Sequence, residues 1–152
     1  MKTILRIAAT YSVLALTSAG ALAAPTQPAV GTLTIPTPFG SSPVVIWSWG
    51  AGYISSTGKA SINDLFVTRY PDGQSPLFFH ALAIGQHLAT VVLVDGSTTI
   101  TLTDAAVTGY STGDSPNANT TRTENITFSF GRVTYTVNGV TTCFDVATNV
   151  AC

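Results

Sequence analysis

Two histidines, two cysteines, seven acidic residues and one dense aromatic run are the parts of this chain that could do chemistry. His80 and His87 stand seven positions apart. Zinc ligands on one helical face recur at i and i+4 with an acid nearby, and this pair does not. Each is read instead as a packed or hydrogen-bonded side chain. The acids occur singly, and Asp64, Asp72, Asp95 and Asp114 fall at turns or bends, where Asp is locally favoured. A glycosidase needs two carboxylates converging on one cleft, which spacing alone does not decide. Neither a Gly-x-Ser-x-Gly elbow nor a phosphate-cradling glycine loop occurs. The expectation is a protein without catalytic, cofactor-binding or metal-binding residues. Trp47, Trp49 and Tyr53 could form an aromatic platform for a sugar, but an apolar run of this kind more often places at least one ring in the core. Asn119-Thr-Thr and Asn125-Ile-Thr match the glycosylation sequon, a match that chance supplies readily in a Thr-rich chain.

The cysteines are read through the compartment. Lys2 and Arg6 make a short positive region, Ile7 to Leu16 is mostly apolar, and Ala21-Leu22-Ala23 offers small residues at the positions a signal peptidase reads. Residues 1–23 are therefore expected to be a cleaved signal peptide, with a mature chain over 24–152. The apolar stretch is too short to span a bilayer comfortably, and no membrane anchor should remain after processing. A lipoprotein is excluded because no Cys lies near the cleavage site. Export to an extracellular or periplasmic space favours a disulfide between Cys143 and Cys152. The bond would close a small ring at the C-terminus and contribute about 2–3 kcal/mol. It is not the Cys-x-x-Cys spacing of a redox catalyst.

Composition bounds the rest. The 152 residues fit one domain. They are 45% hydrophobic and only 9% charged, which excludes a disordered chain. Polarity comes from 25 Thr and 13 Ser, and Thr suits the solvent face of a strand. The net charge of −1 leaves no cationic surplus to neutralise phosphates, so nucleic acid is not an expected partner. With the signal peptide removed, Lys59, Arg69, Arg122 and Arg132 face seven acids, a net charge of −3.

The elements that must position these residues read mainly as β. Gly31 to Ile35 and Val44 to Trp49 are strand-like, Gly52 to Gly58 a polar loop, and Lys59 to Tyr70 one strand bent at Asn63-Asp64. Ser75 reads as an N-cap before Pro76, and Gly85 as the C-cap of one short helix over about residues 76–85. Strands are expected at Ala89–Val94, Thr98–Leu102, Ala105–Tyr110 (which continues the preceding strand or begins another), Ile126–Phe130, Val133–Val137 and Val140–Val146. The Asp95-Gly96 and Asn138-Gly139 turns join their neighbours as hairpins. Residues 111–123 have loop composition. The expected fold is a small antiparallel β-barrel or sandwich with one flanking helix.

An ordered set of short runs adds a resemblance. Trp47-Ser-Trp-Gly50, Lys59 through Leu65, Thr68-Arg69-Tyr70 and Asp72 through Pro76 come first. Gly85-Gln-His87, Leu102-Thr-Asp104-Ala-Ala-Val107 and Thr123 through Tyr135 follow. Together they resemble the tube protein of type VI secretion systems, the haemolysin-coregulated protein (Hcp) family, over roughly residues 45–137. The resemblance implies a small β-barrel with a flanking helix and no enzymatic activity. It further implies homo-hexameric rings that stack into a tube, with protein cargo carried in or pushed by the bore. The chain departs from the family pattern in its signal peptide, its tight Val94-Asp95-Gly96-Ser97 hairpin, its abbreviated N-terminal strand region and its C-terminal cysteine pair. Three readings follow: a secreted ring-forming structural protein, a monomeric secreted binding module using the aromatic cluster, and a small carboxylate hydrolase.

Overall fold

The computed structural model describes residues 27–113 and 121–152. The signal peptide expected at 1–23, and residues 114–120 of the expected loop, lie outside the described residues. The chain begins with β1 (Gly31–Ile35), β2 (Gly40–Val44) and β3 (Ile46–Ser48). A small hairpin, β4 (Ala51–Ile54) and β5 (Lys59–Ile62), precedes β6 (Leu65–Arg69) and the helix α1 (Ser75–Ile84). Two hairpins follow, β7 (His87–Asp95) with β8 (Thr98–Gly113) and β9 (Thr123–Val137) with β10 (Val140–Asp145), and β11 (Val150–Ala151) ends the fold.

All the main strands pair antiparallel in the order β11-β10-β9-β8-β7-β1-β2, while β6 lies between β9 and β3. The segment Gly40–Ser48 thus pairs with β1 along its first half and with β6 along its second. Val45 is where it changes neighbour: Val30 N–H donates to Val44 O and Val45 N–H to Thr68 O, each at 2.8 Å. The expected barrel is present in this form, with one difference. The ladder does not run unbroken around the barrel, because the bend at Val45 interrupts it and divides the expected Val44–Trp49 strand.

Alternation builds the interior. In β8, Ile100 and Leu102 are fully buried between Thr99, Thr101 and Thr103, and in β9 Ile126 and Phe128 are fully buried between Asn125 and Thr127. Leu33, Leu65, Val67 and Leu93 complete that apolar set from the facing strands. Thr occupies the alternate positions because its branched side chain fits the pleat while its hydroxyl reaches water.

Several expected elements change shape. Ala105–Tyr110 continues the strand that starts at Thr98 as one β8, and the two strands expected over 126–137 are one β9. Asp104, between Leu102 and Ala105, sits at φ 52 without ending the strand. Asp tolerates this left-handed conformation better than most residues, and the partner facing it is Gly131, which leaves room. Conversely, the strand expected over Lys59–Tyr70 is two, parted at Asn63-Asp64. The polar loop expected at 52–58 is mostly the hairpin β4–β5. β4 lies wholly in solvent, so no hydrophobic alternation marked it, whereas β5 fell within the expected Lys59–Tyr70 strand.

α1 closes one end of the barrel. Its cap differs from expectation: Gln74, not Ser75, takes the N-cap position and makes no side-chain cap bond. Ser75 Oγ instead accepts Asp72 N–H at 2.9 Å, and Asp72 Oδ1 accepts Gln74 N–H at 2.7 Å. At the other end Gly85 is left-handed as expected, with Gln86 N–H donating to Ala81 O at 2.8 Å. Phe78 and Ala81 are fully buried on the inner side, and the Phe78 ring meets Phe39 at 5.0 Å and Phe128 at 6.2 Å. Full burial of one such phenylalanine stabilises the fold by about 1.5–3 kcal/mol.

Candidate functional site

The residues singled out for chemistry are dispersed, and most of those the structure describes have structural partners. His80, expected to be packed or hydrogen-bonded, instead projects from α1 into solvent with no hydrogen-bond partner among the described residues. His87 Nδ1 lies 2.7 Å from Asp104 Oδ1 on the outer surface. Among the described residues, no three His, Cys, Asp or Glu side chains are grouped to hold a metal. Asp64 accepts the Thr108 hydroxyl at 3.1 Å, and Asp95 accepts Trp47 Nε1–H at 2.8 Å. Asp145 accepts Thr148 N–H at 2.9 Å and pairs with Arg132 at 3.1 Å. These Thr148 bonds, then the Arg132 contact, hold its carboxyl below the ordinary carboxylate value. Asp114 and Asn119 lie outside the described residues. Asn125 is held in the sheet, accepting the Thr68 hydroxyl at 2.8 Å and donating to Ser111 Oγ at 3.4 Å, which makes its sequon a structural coincidence.

The aromatic run does not assemble one platform. Trp47 is half-buried and tied to Asp95, Trp49 packs on Tyr135 at 5.3 Å between ring centres, and Tyr53 projects from the β4–β5 hairpin, 72% exposed. Trp49 borders an apolar groove of about 230 Å³ with Ile62, Tyr135, Phe144, Cys143 and Ala151 along its walls. Trp49 Nε1–H is buried without a hydrogen-bond partner among the described residues. Cys143 and Cys152 are joined as a disulfide beside this groove, their Cα atoms 5.3 Å apart.

The densest polar cluster was not singled out from sequence. Arg69 and Glu124 are both 0% exposed and face each other directly across β6 and β9. Arg69 Nε lies 2.8 Å from Glu124 Oε1, in a contact too bent for a linear hydrogen bond, so the attraction is Coulombic. The guanidinium also reaches Asp72 and donates to Gln74 Oε1 at 3.3 Å, and it sits over the Phe78 ring at 5.2 Å. Tyr110 donates its hydroxyl proton to Glu124 Oε2 at 2.8 Å. Burial, then this bond to Glu124, raise the Tyr110 pKa above its ordinary value. Charges so enclosed meet no solute. The cluster fastens the start of α1 to the barrel.

One surface remains open. α1 carries no Asp, Glu, Lys or Arg, and on its exposed side Phe79 and Ile84, 60% and 61% exposed, flank His80. Phe79 touches Tyr110 edge-on at 6.3 Å and otherwise faces solvent. An aromatic-bearing face without Lys, Glu or Asp suits an interface core.

Residues 42–137 match the family described as "Type VI secretion system effector, Hcp". This chain belongs to the Hcp family. The matched stretch runs from within β2 to the end of β9, so the buried Arg69–Glu124 pair and α1 lie inside it. The disulfide and β10–β11 lie beyond it. Solved structures carry the same fold. Hcp1 from Salmonella typhimurium superposes with a TM-score of 0.70 at 22% identity, covering 80% of this chain and 97% of its own. A type six secretion system protein gives 0.73 at 20%, covering 82% and 100%. A type VI secretion system effector from Yersinia pestis gives 0.65 at 23%, covering 76% and 99%. No curated protein matches the chain. No described helix is long and apolar enough to cross a membrane.

Proposed function

We propose that this Hcp-family chain is an exported structural protein whose single domain, residues 24–152, assembles head to tail into closed rings. The family resemblance gives six copies per ring, stacking of rings into a tube, and protein cargo in the bore. The observation that carries the reading is the exposed side of α1, where Phe79 and Ile84 stand in solvent on either side of His80 and no Asp, Glu, Lys or Arg occurs. Apolar side chains held out in solvent on one element mark it as a contact surface. In a head-to-tail ring every copy covers its neighbour's face and no copy is left unpaired. The chain reaches its compartment through its own signal peptide, cleaved before Ala24, and it performs no catalysis there.

Size-exclusion chromatography with light scattering, together with negative-stain images, tests the assembly. The expected result is an annular particle of about six chain masses. Phe79→Lys with Ile84→Lys should give a monomer with an unchanged β-rich circular dichroism spectrum. A strictly monomeric parent protein at high concentration would reject the ring.

A further inference from the structure

We propose that the Cys143–Cys152 disulfide is a redox-sensitive clasp that fixes the β4–β5 hairpin against the barrel. The hairpin is a two-stranded sheet of its own, with no ladder to the main sheet. An isolated two-stranded hairpin is marginally stable at best in water. What ties it down comes from the far end of the chain. Asn149 Oδ1 accepts Ala60 N–H at 3.3 Å, and Asn149 Nδ2 donates to Ala60 O at 2.9 Å. One side-chain amide thereby imitates the pairing of a neighbouring strand.

Asn149 can do this only while its own turn is held. It sits at φ 58 in the turn that joins β10 to β11. β11 has two residues, both exposed, at the edge of the sheet. Two backbone pairs, Phe144 with Ala151 and Asp145 with Val150, are a weak hold for a chain end. The disulfide closes that hairpin covalently, and Cys152 N–H donates to Cys143 O at 3.2 Å beside it. Cys143 and Ala151 also line the groove to which β5 contributes Ile62. The same bond therefore positions both the amide that grips the hairpin and one wall of the groove beneath it.

Release needs a dithiol reductant. Cys152 is exposed, giving a thiolate of the reductant access to the bond. Attack on Cys152 Sγ breaks the S–S bond and forms a mixed disulfide, with Cys143 leaving as its thiolate. The reductant's second thiolate then displaces Cys152. The reductant ends as its disulfide, and two electrons and two protons end on Cys143 and Cys152. β11 and the turn then fray, Asn149 leaves Ala60, and the hairpin comes free.

Hydrogen exchange read by mass spectrometry, on purified protein with and without dithiothreitol, tests the clasp. Oligomer mass is checked by light scattering in both states. Reduction should speed exchange in residues 51–62 by at least about tenfold while β8 and β9 keep their protection. Cys143→Ser with Cys152→Ser should reproduce this without reductant. Asn149→Ala should free the hairpin with the disulfide intact and β10 still protected. Unchanged exchange at 51–62 on reduction would overturn the proposal. So would an equal acceleration throughout the barrel, which would make the disulfide a general stabiliser.

Discussion

Arg69 and Glu124 were opaque in the sequence for a physical reason. They are 55 positions apart, and only the register of β6 on β9 sets one opposite the other. Enclosed charges are costly unless paired, and removing one partner leaves the other buried without compensation, at about 3–5 kcal/mol. Arg69→Met and Glu124→Gln should each lower the free energy of unfolding in urea by about that much. The double variant Arg69→Met, Glu124→Leu should recover part of the loss, since two apolar side chains leave no orphaned charge. Additive losses in the double variant would show that the two do not act as a pair. Two further residues contribute to the pH dependence of stability. Tyr110 holds its proton more tightly folded than unfolded, so its contribution is full below the ordinary tyrosine pKa. That contribution is lost as pH rises through the raised value. Asp145 behaves oppositely: its contribution is present above the ordinary carboxylate value and is lost as pH falls through the lowered one. In a plot of melting temperature against pH, Tyr110→Phe should soften the alkaline fall and Asp145→Asn the acid fall. Parental curves in both variants would contradict this.

Elements were legible where local chemistry left one solution. Asn138 and Gly139 both have positive φ, as a two-residue hairpin turn requires, and the Asn-Gly pair announced it. Gly85 announced the end of α1 in the same way. Ser75 misled because the Asp72 carboxylate already satisfies Gln74 N–H, leaving the serine hydroxyl to brace Asp72 instead. The β4–β5 hairpin was hidden because its backbone is organised by a turn rather than by a buried face. Thr57 and Gly58 N–H both donate to Ile54 O, at 3.1 and 2.9 Å. The cap at Gly85 gives the sharpest test at this scale. At φ 62 a Cβ is strained by about 1–2 kcal/mol although open space surrounds it. Gly85→Ala should therefore destabilise the protein by about 1 kcal/mol in chemical denaturation. Gly113→Ala, with open space and no positive φ, should cost less. Equal costs would remove the left-handed cap from the account of helix termination.

At the scale of the whole molecule, a chain with 9% charged residues leaves little for ionic contacts between copies. The buried pair at Arg69 is already committed within the domain, and the exposed side of α1 carries Phe79 and Ile84 with His80 as its one ionisable residue. If the ring is held through that face, its stability comes from apolar area removed from water, which salt does not screen. Raising sodium chloride from about 0.1 to 1 M shortens the Debye length from about 10 to 3 Å. Charge-paired interfaces would weaken over that range. The proposed ring should keep its mass in light scattering at fixed protein concentration, and sulfate, which strengthens apolar burial, should shift the equilibrium further towards the assembled state. The Phe79→Lys, Ile84→Lys variant should stay monomeric in both salts, because desolvating a lysine at the contact opposes assembly whatever the screening. Dissociation of the parent ring in 1 M sodium chloride would place the contact on charged residues elsewhere and remove α1 from the interface.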